Sequence, residues 1–242
     1  MTAWSEALVD AVRVGLPAAA EPGRAPAMRK YMRDQFAFLG VPGPAQKVAF
    51  RAAAAAAGKP ATATDLSAAA SVLWALDERE YQYAGCWILE RWAKLLGPDD
   101  LAALRALITT KSWWDTVDAL AAEAVGSVVL RHPTAAAVMD AWIADSNLWV
   151  ARTALLHQLR FKERTDTERL FAYCLHQAGH PDFFIRKAIG WALRQYSWMD
   201  PDSVERFVGE HASELSPLSK REALLVISGG RKNLPKSRRP TS

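Results

Sequence analysis

The 242-residue sequence lacks the motifs of most familiar enzyme classes. Its five histidines show no metal-ligand spacing, and it contains no glycine-rich phosphate loop, nucleophile elbow or HExxH motif. Its two cysteines, Cys86 and Cys174, also lack metal spacing, and we interpret them as small buried side chains in a reducing compartment. No apolar run reaches the ~18 residues of a membrane span, and no secretory pattern opens the chain. We therefore expect an intracellular protein with no membrane contact, metal ion or cofactor.

Helix-forming patterns are abundant. Half of the residues are hydrophobic, alanine is frequent, and runs of alternating strand pattern are scarce. We predict about a dozen helices, paired at intervals of roughly 35–45 residues, as in an all-α superhelical solenoid of antiparallel helix pairs. These helices include residues 147–161, 182–196, 201–211 and 217–227. We expect one domain over residues 1–230 and a basic, disordered tail over residues 231–242.

Positive charge is concentrated in a few segments of the chain. The formal net charge is +4 and the pI is near 9.1, a mild basic bias that suggests an anionic partner. Basic residues cluster within residues 28–51, 160–164 and 186–194. Solvated helix faces would give the same pattern, but clustering on several helices favours one basic concave face.

Residues 111–118 read as the start of a helix that continues to residue 130. Ser112 is predicted to cap this helix, and Asp115 to complete a capping box with it. Trp114 and Asp118 are four residues apart and would share one face. A carboxylate beside an apolar stripe needs compensation, either from a structural cation or from a cationic ligand in a cleft.

Two further residues stand out in later helices. Arg152 lies on or beside a face of leucines, so it either forms a structural salt bridge or presents its guanidinium to a phosphate or to Asp118. Trp191 is either a core residue or part of a nucleic-acid face, because Lys187 and Arg194 flank it.

Five motifs, taken in their order and spacing, resemble the AlkD family of DNA alkylation repair glycosylases over about residues 4–227. They are residues 31–42, 111–118, 147–152, 183–194 and 217–223. The resemblance implies a HEAT-like α-solenoid that wraps duplex DNA in its concave face and excises N3- and N7-alkylated purines. It also implies a catalytic set, brought together from separate helices: Trp114, Asp118, Arg152 and Trp191. Some relatives lack the aspartate and are non-catalytic, whereas this chain retains it.

The implied chemistry needs no strong general acid, because an N3- or N7-alkylated purine is already cationic and leaves readily. Asp118 would stabilise the oxocarbenium-like transition state and position water. The lesion would be recognised through the DNA backbone, without base flipping. We expect these side chains to contact DNA: Tyr31, Arg33, Gln35, Lys47, Lys162, Lys187 and Arg194.

The expected partner is double-stranded DNA that contains alkylated purines, bound by a monomer in the cytoplasm at the bacterial nucleoid. The sequence does not select among 3-methyladenine, 7-methylguanine and bulky adducts, nor does it assign the basic tail a role. The alternative is a non-catalytic HEAT-repeat module that binds DNA structures or a protein partner. Base release from alkylated duplex separates the two.

Overall fold

The computed structural model describes residues 2–229, which are predominantly helical. No strand occurs in this range, where the only β-type pairing is an isolated bridge between Ala37 and Glu78. The all-α prediction is confirmed. Each helix between residues 2 and 229 is too short or too polar to span a lipid bilayer. The predicted tail, residues 231–242, lies outside the described residues.

The helices group into two compact units, Met1–Leu120 and Ala121–Ser242. The first unit contains α1 (Ala3–Ala18), α2 (Ala25–Tyr31), α3 (Gly43–Ala57), α4 (Ala63–Ala75), α5 (Arg79–Arg91), α6 (Leu101–Ile108) and α7 (Trp114–Ala119). The second contains α8 (Gly126–Arg131), α9 (Ala136–Trp142), α10 (Leu148–Leu156), α11 (Thr167–His176), α12 (Phe183–Ser197), α13 (Pro201–Glu210) and α14 (Pro217–Ser228). Short 3-10 turns cover Pro22–Arg24, Ala93–Leu95, Pro98–Asp100, Pro133–Ala135 and Lys162–Arg164.

Packing in the first unit centres on α1, α4 and α5. Helix α1 packs against α3 and α4, and α4 packs against α5. Leucines at helical spacing supply the interior, including Leu8 and Leu16 from α1 and Leu66 and Leu73 from α4, all with no exposed surface. Burying each such side chain contributes ~1.5–3 kcal/mol to the free energy of unfolding, so this interior stabilises the packing of α1 and α4.

Packing in the second unit centres on α12, which contacts α10, α13 and α14. Gly190 permits a close approach of α14 to α12. A Cβ atom at this position would lie 2.4 Å from Cβ of Glu222 and 2.8 Å from the carbonyl oxygen of Ser219, both on α14. Only a glycine at residue 190 therefore allows α14 to pack this closely against α12.

Of the four predicted helices given above, those at residues 182–196, 201–211 and 217–227 begin and end within one residue of the observed α12, α13 and α14, whereas the helix at residues 147–161 does not. Helix α10 ends at Leu156, five residues before the predicted end. The side chain of Gln158 exchanges hydrogen bonds with the backbone of Asp166, at 3.1 Å to its carbonyl oxygen and 2.8 Å from its N–H. This pairing stabilises the non-helical turns between the end of α10 and Asp166.

The helix predicted to continue to residue 130 also departs from regular geometry. A π-helical segment, Leu120–Val125, joins α7 to α8. Each residue of an α-helix rotates the chain by about 100° about the helix axis. One extra residue in a π-helical turn therefore changes the directions of the side chains that follow it relative to those before it. The side chains before and after this segment therefore do not follow a single helical stripe.

One ionisable group, His157, is buried without charge in the second unit. It is 1% exposed, and its Nδ1–H donates to the carbonyl oxygen of Ala154 at 2.7 Å. Burial lowers the pKa of His157 to about 4 from its ordinary 6.5. Below pH 6.5 the unfolded chain therefore binds a proton that the folded protein excludes.

We expect His157 to make folding pH-dependent. Its contribution to the free energy of unfolding is present above about pH 6.5 and is lost as the pH falls to about 4, by roughly 3 kcal/mol. Urea unfolding of His157→Gln, followed between pH 7 and pH 4, should show a shallower loss of stability than the wild type. His176→Gln, at an exposed position on α11, is the control and should keep the wild-type slope. Equal slopes for wild type and His157→Gln would contradict this assignment.

Candidate functional site

The segment that precedes α7 differs from its predicted geometry. Helix α7 begins at Trp114, and Trp113 occupies the N-cap position in an extended conformation with no side-chain cap. The predicted capping box between Ser112 and Asp115 is therefore wrong. Ser112 Oγ instead donates to the carbonyl oxygen of Ile108, at the end of α6, at 2.7 Å. The carboxylate of Asp115 is bound elsewhere, which explains why it does not reach back to the helix start.

Asp115 is held by two side chains from α5. Arg79 donates to it through Nε at 3.0 Å and Nη2 at 2.6 Å, and the Tyr83 hydroxyl donates at 2.7 Å. The Arg79 side chain is fully buried and that of Asp115 is 7% exposed, so the ion pair lies inside the first unit. Burial, with the charge of Asp115 next, raises the pKa of Tyr83 well above its ordinary range.

Trp114 and Asp118 lie on α7, four residues apart, and both are half-buried. The Trp114 ring makes an edge-to-face contact with the ring of Tyr31, with centroids 6.0 Å apart. Tyr31 is 70% exposed, at the end of α2. The first unit thus brings together Tyr31 and Trp114, two of the predicted residues, beside the helix face that carries Asp118.

The loop after Tyr31 carries the next predicted DNA contacts. Arg33 and Asp34 both adopt left-handed backbone conformations, with φ of 55° and 56°, which turn the chain sharply out of α2. The side chain of Gln35 donates to the carbonyl oxygen of Arg33 at 3.3 Å. Arg33 and Gln35 are exposed, and so is Lys47 on α3.

Arg152, in the second unit, is a buried cation at only 3% exposure. Its Nη1 donates to the carbonyl oxygen of Phe184, and its guanidinium lies 6.0 Å from the centroid of the Phe184 ring. Trp149, one turn earlier on α10, packs against the same ring at 5.1 Å. Packing and this hydrogen bond hold Arg152 against the first turn of α12.

Helix α12 carries Trp191, Lys187 and Arg194, and a glutamate of α14 lies beside them. Trp191 is half-buried. Lys187 Nζ and Arg194 Nη1 each donate to Glu222, at 2.6 and 2.7 Å. Burial raises the pKa of Glu222, but the hydrogen bond from Lys187 and the two positive charges outweigh burial and lower it overall. The two predicted DNA contacts on α12 are therefore joined through one carboxylate.

The remaining predicted contact, Lys162, is exposed and adopts a left-handed conformation with φ of 54°. It opens the short 3-10 turn Lys162–Arg164, in which all three side chains are exposed. Just before it, Arg160 pairs with Glu123 at 2.7 Å. This turn presents two cations, Lys162 and Arg164, on the surface of the second unit.

Sequence reasoning missed four residues that support these positions: Arg79, Glu80 and Glu222, which are buried, and Tyr83, which is half-buried. Arg79 is 36 residues from Asp115, so no local pattern connects the two. The one available signal was Arg79 and Tyr83 four residues apart on a helix, a spacing that places them on one face. No three His, Cys, Asp or Glu side chains between residues 2 and 229 are grouped as a metal site requires.

These features define an all-α helical-repeat protein with exposed aromatic and basic side chains. A family model for DNA alkylation repair enzyme matches residues 12–227, and the chain belongs to that family. The resemblance noted from the sequence motifs is thereby confirmed. Membership makes the protein an enzyme of DNA alkylation repair, with DNA as the substrate.

One solved structure agrees with this assignment, and a second shares the fold. The chain is similar to a predicted DNA alkylation repair enzyme from Enterococcus faecalis, with a TM-score of 0.76 and 32% identity over 85% of this chain and 95% of that one. It shares its fold with smu.31 from Streptococcus mutans UA159, with a TM-score of 0.54 and 18% identity over 66% of this chain and 83% of that one. No curated protein matches the chain.

Proposed function

We propose that the protein is an alkylpurine DNA N-glycosylase, which hydrolyses the bond between deoxyribose and a cationic N3- or N7-alkylated purine in duplex DNA. One observation carries the proposal: Trp114 makes an edge-to-face contact with the exposed ring of Tyr31, and Asp118 lies one turn further along the same helix. Membership of the DNA alkylation repair family supports it. Electron-rich rings beside a carboxylate suit a substrate on which positive charge develops.

The proposed reaction breaks the bond from C1′ of deoxyribose to the purine nitrogen. The bonding electrons move onto the purine and neutralise its positive charge, so the base leaves without prior protonation. Positive charge then develops on the sugar, where the carboxylate of Asp118 stabilises it. A water molecule positioned by Asp118 forms the new bond to C1′, and its proton is released to solvent. An abasic site and a free alkylated purine result.

The remaining predicted residues are proposed to hold the DNA. Trp114 and Trp191 would pack on deoxyribose, whereas cations would contact phosphates and set the register of the duplex. The exposed cations Arg33, Lys47 and Lys162 suit this role directly. Recognition through the backbone would leave the lesion unflipped and would tolerate adducts of different size.

Three other cations would contact phosphate less directly than these exposed ones, because each already binds a protein oxygen: Lys187, Arg194 and Arg152. Lys187 and Arg194 would bind phosphate while they share Glu222. Arg152 would contact a phosphate while its Nη1 binds the carbonyl oxygen of Phe184.

Release of free purine from defined duplexes tests the proposal. We expect the protein to release 7-methylguanine and 3-methyladenine but no base from undamaged duplex of the same sequence. A third duplex with a bulky N7 adduct tests whether recognition occurs without a base pocket, because a flipping enzyme would exclude it. Binding to the alkylated duplexes without release of any base would contradict the proposal and identify a non-catalytic DNA-binding module.

A further inference from the structure

Among the described residues, Arg79 has the largest side chain with no exposed surface, and it forms hydrogen bonds to residues on both sides of Trp114. Nη1 donates to the carbonyl oxygen of Lys111 at 2.8 Å, before the tryptophan. Nη2 donates to Thr116 Oγ1 at 2.8 Å, after it, and the guanidinium also binds Asp115 bidentately. A planar fork with several acceptors tolerates little displacement. Arg79 therefore fixes the backbone on both sides of the first residue of α7.

The same part of α5 also holds the loop that follows Tyr31. The Arg79 guanidinium lies 3.8 Å from the centroid of the Phe36 ring, and the Arg79 backbone N–H donates to the carbonyl oxygen of Ala37 at 2.9 Å. The buried carboxylate of Glu80 accepts three backbone N–H groups of this loop, at 2.9–3.1 Å, from Leu39, Gly40 and Val41. Both partners of the Tyr31–Trp114 contact therefore depend on consecutive residues of one helix.

We propose that Arg79 is a positioning residue for the glycosylase reaction: it aligns α7 so that Trp114 and Asp118 meet the lesion nucleotide in a reactive geometry. The inference rests on the proposed function for its catalytic consequence. Displacing a catalytic group by about 1 Å can cost ~10²-fold in rate while leaving binding largely unchanged. Arg79 would thus contribute to the chemical step although its side chain is fully buried and does not touch DNA.

The second unit contains the same three residue types in the same arrangement. Arg169 donates to Asp140 through Nε at 2.8 Å and Nη2 at 2.9 Å, and Tyr173, four residues after Arg169, donates to Asp140 at 2.6 Å. The hydrogen bonds from Arg169 lower the pKa of Asp140 to about 2 although burial opposes them. None of the predicted catalytic residues lies within this trio. Arg169 is therefore a control for the hydrogen-bonding pattern of Arg79, although its side chain is 26% exposed and that of Arg79 is buried.

The test compares Arg79→Lys with Arg169→Lys, because lysine keeps the charge and loses the bidentate fork. We expect the single-turnover rate of 7-methylguanine release to fall ~10–100-fold in Arg79→Lys and to change less than threefold in Arg169→Lys. Affinity for the alkylated duplex should stay within threefold in both variants. In protein labelled with 5-fluorotryptophan, the Trp114 resonance, identified through Trp114→Phe, should shift or broaden in Arg79→Lys alone.

A merely structural role predicts something else. The midpoint of thermal unfolding would drop in both variants, while the release rate per folded molecule and the Trp114 resonance would match the wild type; that result would overturn the proposal. If Arg79→Lys does not fold, Tyr83→Phe removes only the hydroxyl that donates to Asp115 at 2.7 Å, and the same readouts apply with a smaller expected loss. Failure of the proposed function is distinguishable, because the wild type would then release no base although the fluorine readout would still report Trp114.

Discussion

Asp118→Asn is expected to abolish most release of 7-methylguanine and to leave the binding of alkylated duplex nearly intact. The substitution keeps the size of the side chain and removes its charge, so it removes electrostatic stabilisation of the developing sugar cation. Preorganised groups of this kind contribute ~10²–10³-fold in rate, and we expect a loss in that range. Because one negative charge is lost, affinity for the DNA polyanion should be unchanged or slightly higher.

Single-turnover release and duplex affinity, measured on the same preparation, separate these effects. Asp202→Asn is a suitable control, because Asp202 is exposed on α13 and its loss changes the net charge equally. The control should release base at the wild-type rate. Unchanged excision by Asp118→Asn would refute the assignment of Asp118 as the catalytic carboxylate.

Gly190→Ala should destabilise the second unit strongly. The new Cβ atom would lie 2.4 Å from Cβ of Glu222 and 2.8 Å from the backbone oxygen of Ser219, so α12 and α14 must separate. Overpacking of a core typically costs ~1–3 kcal/mol, and a backbone atom cannot rotate away, so we expect a loss of about 3 kcal/mol. Separation would also displace the adjacent Trp191 and the pairing of Lys187 with Glu222.

Urea unfolding measures this cost, and Gly209→Ala supplies the contrast. Gly209 lies in α13, where a Cβ atom would meet nothing within 4 Å. Alanine is the better helix former, so this control should gain ~0.5–1 kcal/mol. Equal stability of Gly190→Ala and the wild type would mean that the contact between α12 and α14 is looser than the structure indicates.

The sequence predicts the helices well where local signals dominate. Helices α12, α13 and α14 follow from apolar periodicity and from a cap residue directly before each start. These signals are local, because each lies within a few residues of the helix that it predicts. The start of α7 could not be predicted in the same way. Ser112 and Asp115 have the spacing of a capping box, but a buried arginine 36 residues away binds Asp115 instead. Long-range pairing outweighed a local preference.

In the candidate site, too, local spacing could be predicted and long-range contacts could not. Trp114 and Asp118 could be selected from the sequence because a helix places residues four apart on one face. The residues that hold them in place could not be selected from the sequence, because Arg79, Glu80 and Phe36 come together only in the folded first unit. That the four predicted catalytic residues act together stays a prediction.

The π-helical segment Leu120–Val125 has a consequence for how relatives should be compared. A π turn arises when one residue is added to an α-helix, so deleting one residue there restores regular geometry without breaking the helix. A single-residue gap within residues 120–125 of an alignment would therefore be structurally sound. A single-residue gap between Trp114 and Asp118 would instead rotate the carboxylate away from Trp114 by about 100° and should accompany loss of excision.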